Sequence, residues 1–333
     1  MKRFLPGILA IPFFLLQYFA EAQSKTGVTG IPDTTYSNYS AFNSIRKNHP
    51  AATLVGELKS ASVKEDRGII YCEIGNRKLL LDVFYPSAKT KEKRTAILII
   101  HGGGWRSGNR TQHHALAQHL ANLGYVCLTP EYRLSTEALY PAAVHDLKAA
   151  LRWLHLKRKT YNVDTTKIAV MGFSAGGQLA ALLGTTNGDS TFEGAACHQK
   201  FSSNVQAIID LDGTLSFVHP ESGEGDDTKK TSAATYWFGY AKKENHRLWE
   251  EASPLSHVGK NTPPTLFINS SVERMHAGRD DFMKVLKANH IYTEVKTFAD
   301  APHHFPMFEP WFTPMVQYID EFLKKIFSKN KVS

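Results

Sequence analysis

Ile168-Ala169-Val170-Met171-Gly172-Phe173-Ser174-Ala175-Gly176-Gly177-Gln178-Leu179-Ala180-Ala181-Leu182-Leu183 is the stretch whose reading decides the fold. Ile168 to Met171 is an unbroken apolar run, as in a strand buried on both faces, and Ala175 to Leu183 is a run of small and apolar residues that suits a buried helix. Between them stands Gly172-Phe173-Ser174-Ala175-Gly176. The flanking glycines permit a cramped strand-to-helix turn that lifts the serine hydroxyl into the open, and the helix N-terminus behind it supplies N–H groups and a favourable dipole. Taken alone the five residues could be a glycine-rich packing turn. Their place between strand and helix points instead to Ser174 as a nucleophile.

Working outward, the same alternation recurs on both sides. Upstream lie the apolar run Ala96 to Ile100, a helical stretch near Gln112 to Leu123, a second run Tyr125 to Leu128 and a helix over about Ala142 to Leu156. Downstream come Val205 to Leu211, Thr265 to Asn269, a helix Asp281 to Asn289, Tyr292 to Phe298 and a closing helix from about Trp311 to Phe327. Continuous apolar strands separated by amphipathic helices predict a mostly parallel, doubly wound α/β sheet. Ile69 to Ile74 and Leu79 to Tyr85 form an expected hairpin around Gly75-Asn76. The rhythm breaks over residues 213–255, where a charged stretch (Glu221 to Lys230) and the aromatic Tyr236-Trp237-Phe238 fit a small cap insertion.

After the run Ala96 to Ile100 comes His101-Gly102-Gly103-Gly104-Trp105. Bare N–H groups of Gly103 and Gly104, with that of Ala175, would make an oxyanion hole, an arrangement in which one donor is worth about 3 to 4 kcal/mol. A phosphate-binding loop is the competing reading, but the lysine and Ser/Thr of that pattern are absent.

The chain ends and composition bound the setting. Lys2 and Arg3 precede an apolar run from Phe4 to Phe19, and Ala20-Glu21-Ala22 offers a small-x-small cleavage site, so residues 1–22 read as a signal peptide. The expected protein is exported, periplasmic or secreted, with no membrane span after cleavage, since no second long apolar segment follows. Residues 23–65 form a polar lead-in and 66–330 the main domain. The net charge of +8 is scattered, with no block of like charge to mark a nucleic-acid surface. Of the three cysteines, Cys72, Cys127 and Cys197, at most one pair can join; Cys127 sits in an apolar strand and reads as buried.

The Gly172–Gly176 motif and the His-Gly-Gly-Gly run together resemble the α/β-hydrolase superfamily, in its HGGG-bearing branch related to hormone-sensitive lipase and bacterial carbohydrate esterases. The resemblance covers about residues 68–327. Glu131-Tyr132-Arg133, Pro141, Asp146 and Trp153 are similar to recurrent features of that branch. Phe267-Ile268-Asn269-Ser270-Ser271, continuing through His276-Ala277-Gly278-Arg279-Asp280-Asp281, resembles exported pectin- and xylan-directed esterases of gut and marine Bacteroidetes. What this implies is a serine esterase that removes acetyl or methyl groups from plant cell-wall glycans, with an ester-bearing carbohydrate or small ester as its only partner and without cofactor or metal.

In that family the base is a histidine followed by one residue and a phenylalanine. Asp300-Ala301-Pro302-His303-His304-Phe305 follows the strand Tyr292 to Phe298, which registers His303 as the base and His304 as a pocket wall. The acid is expected after Thr265 to Asn269, where Glu273 and Asp280 compete on even terms, although Asp280 is also a good helix N-cap. Asp212 is a third and weaker candidate. Trp105, His304, Trp237, Arg274 and Arg279 are the substrate-binding candidates: the tryptophans as stacking faces or cap core, the arginines as clamps for a uronate carboxylate or as ion-pair partners of nearby aspartates. His113, His114 and His119 lack an acidic partner for a metal and read as surface histidines. A general short-chain esterase or lipase, and a non-catalytic binding module on the same fold, are the rival functions.

Overall fold

The computed structural model describes residues 27–328, so the expected signal peptide, residues 1–22, lies outside the described residues. The described chain opens with α1 (Asn38–Ile45), capped by Ser37, and the short β1 (Thr53–Leu54). The hairpin follows as β2 (Val63–Ile74) and β3 (Arg77–Pro86), longer than the apolar runs alone suggest because their polar ends stay paired beyond the core. Then come β4 (Arg94–Ile100), α2 (His114–Asn122), β5 (Val126–Pro130), α3 (Ala142–Lys157), β6 (Val163–Phe173) and α4 (Ala175–Thr185). The chain continues through β7 (Ala207–Leu211), α5 (Ala233–Phe238), α6 (His246–Glu251) and β8 (Thr265–Asn269). It closes with α7 (Arg279–Ala288), β9 (Thr293–Thr297), β10 (Phe308–Glu309) and α8 (Phe312–Ser328).

Among the described residues the main sheet has eight strands in the order β2-β3-β5-β4-β6-β7-β8-β9. The pairs β2·β3 and β3·β5 are antiparallel and every later pair is parallel. The inner strands are mostly apolar and almost wholly buried because both faces are covered. Leu98 joins the apolar cluster formed with α3 and α4, whereas its neighbours Ile97 and Ile99 join the one formed with α2 and α8. This is the doubly wound arrangement of the α/β-hydrolase fold. No helix among the described residues is long and apolar enough to cross a membrane.

Two parts lie outside that frame. Between β7 and β8 lies the insertion expected to form a cap, where Phe217, Trp237, Phe238 and Trp249 form a buried aromatic knot. At the other end the N-terminal segment is tied to the main domain: β1 pairs with β10 in a separate two-stranded sheet, and Gly108 donates its N–H to the Asp33 carbonyl. A disulfide joins Cys72 on β2 to Cys197, 125 positions on, and Cys127 is free and buried.

Candidate active site

The Ser174 turn shows why its neighbours are glycines. Ser174 has φ 55° and ψ −121°, a conformation that only a forced turn imposes on a residue with a Cβ. A Cβ on Gly172 would lie 2.0 Å from the Gly176 carbonyl oxygen, and one on Gly176 would lie 2.2 Å from the Ile100 carbonyl oxygen. The turn is therefore wedged between its own ends and the tip of β4. The Ser174 N–H is held by the Leu211 carbonyl at 2.9 Å, which ties the turn to β7. Ala175 is the first residue of α4, so its N–H has no intrahelical acceptor.

The glycine run after β4 curls beside it. Gly103 has φ 125°, and a Cβ there would lie 1.9 Å from the Ser107 carbonyl oxygen, so nothing larger fits. Gln112 fixes the run by accepting the Gly102 N–H at 2.7 Å. Among the described residues no hydrogen bond engages the N–H groups of Gly103, Gly104 or Ala175. Gly103 and Gly104 border, with Ser174, His303, His304 and Tyr36, a cavity of about 250 Å³.

His303 lies in the loop after β9, its ring against Phe173. Ser174 Oγ stands 2.9 Å from His303 Nε2, and His303 Nδ1 stands 2.9 Å from Asp212 Oδ2. With Nδ1–H donating to the carboxylate, Nε2 is left free to accept from the serine. Asp212 is fully buried. Burial alone would raise its carboxyl, but hydrogen bonds from His276, His303 and Ser270 and the charge of His303 outweigh it and hold the group far below the usual range.

The carboxylate on His303 is thus neither of the two expected first. Glu273 is exposed on a single turn after β8, and Asp280 has a side chain 79% exposed, paired with Arg279 at 2.8 Å. Asp280 is not the cap of the helix either: α7 begins one residue before it, with Gly278 as N-cap. Strand register explains the outcome. Phe173 of β6 pairs with Leu211 of β7, so the residues immediately after them, Ser174 and Asp212, leave the sheet side by side. β8 is one strand further away. The sequence signal was present, since Asp212 stands at the end of an apolar run and just before Gly213, but chain order gave more weight to the later loop.

Other expectations are also corrected. Trp105 and Trp237 are buried and stack on each other with ring centres 5.0 Å apart, which leaves neither a face for a sugar. Trp105 Nε1 donates to Gln178 Oε1 at 2.8 Å, so the pair clamps the cap to the glycine run and α4. His113 and His114 are buried rather than on the surface. His114 bonds Asp82 at 2.8 Å, and His113 packs edge-on to Phe173, where burial and the charges of His101 and His114 push it down to about 3. His304 does line the cavity, and burial followed by the charge of His303 lowers it to about 4.

Arg274 and Arg279 line a larger cleft of about 700 Å³ together with Glu221, Ser270, His276 and Thr297. Arg279 also donates to Asn269 Oδ1 at 2.8 Å and pairs with Asp280. Tyr36 carried no sequence signal at all. It comes from the polar lead-in, its N–H donates to Ser107 Oγ at 2.9 Å, and its ring lies 5.9 Å from that of His304.

Comparison with known proteins places the chain in a family. Residues 81–277 match the BD-FAE family. The chain is 28% identical over 243 residues to the probable carboxylic ester hydrolase LipM of Mycobacterium tuberculosis, covering 71% of this chain and 53% of the relative. It is 26% identical over 215 residues to an ethyl acetate hydrolase of Pseudomonas putida, covering 63% and 65%. The chain spans about half the length of the first curated relatives it matches. Among solved structures, a truncated carbohydrate esterase from gut microbiota superposes with a TM-score of 0.66 at 22% identity, over 81% of this chain and 99% of that one. A butyrate-bound esterase of Thermogutta terrifontis gives 0.65 at 24%, over 80% and 95%. These likenesses show the α/β-hydrolase fold, and the extent of the family match goes further: the chain belongs to the BD-FAE family.

Proposed function

We propose that the protein is a serine carboxylesterase that removes small ester groups, acetyl or methyl, from sugars of plant cell-wall polysaccharides. The observation that carries this reading is the hydrogen-bonded chain Asp212–His303–Ser174 beside Gly103 and Gly104, which line the same cavity, with the unengaged Ala175 N–H next to the serine in the chain. His303 takes the Ser174 proton as Oγ attacks the ester carbonyl, and the three N–H groups receive the charge that develops on the carbonyl oxygen. His303 then gives the proton to the leaving alcohol. Water, deprotonated by the same ring, releases the acid from Ser174. Asp212 holds Nδ1–H throughout and stabilises the imidazolium.

The cavity of about 250 Å³ suits a small acyl or alkoxy group. For the sugar, support comes from the cleft of about 700 Å³, whose carboxylates, guanidinium groups and hydroxyls match a polyhydroxylated ligand. His276, in the wall of that cleft, and His303, in the wall of the small cavity, bond the two oxygens of Asp212, so the cavities flank one carboxylate. The carbohydrate esterase among the structural relatives supports the same reading. Export accords with a disulfide between Cys72 and Cys197.

The test is a product assay on acetylated and methylated pectin and on acetylated xylan, reading acetate against methanol. Release of either by the wild type and its loss in Ser174→Ala is the expected result. A Ser174→Ala protein that keeps full turnover of p-nitrophenyl acetate would overturn the mechanism. Turnover of p-nitrophenyl acetate without release from any glycan would leave a general short-chain esterase, the reading that the ethyl acetate hydrolase relative favours.

A further inference from the structure

The Asp212 carboxylate receives more than His303. Its Oδ2 accepts from His303 Nδ1 at 2.9 Å, while Oδ1 accepts the Ser270 N–H at 2.8 Å and faces His276 Nε2 at 3.2 Å. Ser270 and His276 both belong to the loop that follows β8, the loop in which the acid itself was expected. His276 ends the single turn Glu273–His276, and its side chain is only 12% exposed.

We propose that His276 is a positioning residue for the reaction, holding the Asp212 carboxylate in the plane that keeps Oδ2 on His303 Nδ1. The proposal rests on the serine esterase reading above. His303 and the Ser270 N–H hold one oxygen each, and the bond from His276 adds a second donor on Oδ1 that stiffens the carboxylate against rotation about its Cβ–Cγ bond. Two donors of different direction on Oδ1 define that plane, as outer partners do for catalytic and metal-binding histidines. Asp212 also has φ 55°, so the carboxyl is presented by a strained turn and gains from being fastened. Among the influences on Asp212, burial comes first and raises its carboxyl; the hydrogen bond from His276 is next and opposes it. The cleft that His276 lines also holds the charged groups Glu221, Glu273, Arg274, Arg279 and Asp280.

The experiment compares His276→Phe, which keeps ring bulk without a donor, with His276→Gln, whose amide restores one. Both are assayed with p-nitrophenyl acetate across pH 5 to 9, with folding checked by thermal melting. In the Phe variant kcat falls about 10- to 100-fold with KM nearly unchanged, a loss in the range seen for outer-partner substitutions. Negative charge then concentrates on Oδ2 and favours the imidazolium, so the acidic limb of the kcat/KM profile moves to higher pH. The Gln variant recovers most of kcat and the wild-type limb. A folded Phe variant with wild-type kcat and limb overturns the proposal, as does a loss that Gln does not repair, because that loss belongs to the ring and not to its hydrogen bond. Should the Phe variant not fold, a folded Gln variant with wild-type kcat and limb supports the hydrogen bond, and one as slow as Ser174→Ala overturns it. Failure of the esterase reading looks different: Ser174→Ala would then turn over as fast as wild type.

Discussion

β7 and β8 lie side by side and parallel, and each ends in a loop bearing carboxylates, yet the two loops do opposite things. After β7 the chain makes one tight turn: Asp212 is fully buried, and a Cβ on Gly213 would lie 2.4 Å from both Asp210 Oδ1 and Gln178 N. After β8 it swings outward, leaving Glu273 and Asp280 in solvent and turning Ser270 and His276 onto Asp212. One loop carries the carboxylate that bonds His303 and the other bonds that carboxylate. The difference teaches that in a parallel sheet a side chain's reach is set by which strand adjoins the nucleophile's strand, not by order along the chain.

The sharpest way to break this comparison is to exchange the carboxylates. Asp212→Asn loses about 10,000-fold in kcat, the scale expected when the residue that sets the histidine tautomer becomes an amide. Glu273→Gln and Asp280→Asn stay within a few-fold in kcat on p-nitrophenyl acetate. Steady-state kinetics of the three variants decides it, and equal losses at Asp280 would reverse the roles of the loops.

Acid acts on two buried histidines outside both loops. Burial, only partly opposed by a hydrogen bond to Gly102, holds His101 down at about 4, and His113 lies near 3. The unfolded chain therefore takes up protons that the folded one refuses. Their contribution to stability is complete above about pH 6.5 and is lost as the pH falls toward 4 and 3. Asp212 is depressed as a carboxylate, so its contribution is present above its ordinary value and lost only at still lower pH. Thermal melts should fall by several degrees between pH 6.5 and 4, and a flat profile over that window would contradict the buried neutral state of both histidines.

Tightness itself can be measured with one methyl group in each loop. Gly213→Ala forces backbone apart and costs about 1 to 3 kcal/mol or more by denaturant unfolding. Gly278→Ala meets Leu255 and Ser216 only at 3.2 Å, and its cost is chiefly the left-handed backbone at φ 82°, about 1 kcal/mol. The smallest effect is at the rim. Tyr36→Ala enlarges the cavity and should raise kcat/KM for p-nitrophenyl butyrate relative to acetate by several-fold, since one methylene in a fitted pocket is worth roughly 1 to 3 kcal/mol. An unchanged ratio would mean that the lead-in does not bound the acyl group.

Much of the site was legible because its constraints are local. Gly172 and Gly176 are required by backbone contacts within the turn and with the adjoining strand tip, and the glycine run after β4 by a contact four residues on. What was missed depends on neighbours distant in sequence. Trp105 and Trp237 looked available for stacking because their mutual burial joins segments 132 positions apart. His113 and His114 looked solvated because the aromatic ring and the carboxylate that receive them, Phe173 and Asp82, lie on other strands.

The sequence by itself determined the alternation of buried strands and helices, the turn that exposes Ser174 and the bare N–H groups beside it, since each follows from periodicity or from residues too small for any other turn. Only the tertiary structure decided which carboxylate meets His303, that Tyr36 closes the cavity and that His276 stands behind the acid. Those choices rest on strand order and register, which place residues 38, 129 and 138 positions from Ser174 around one serine hydroxyl.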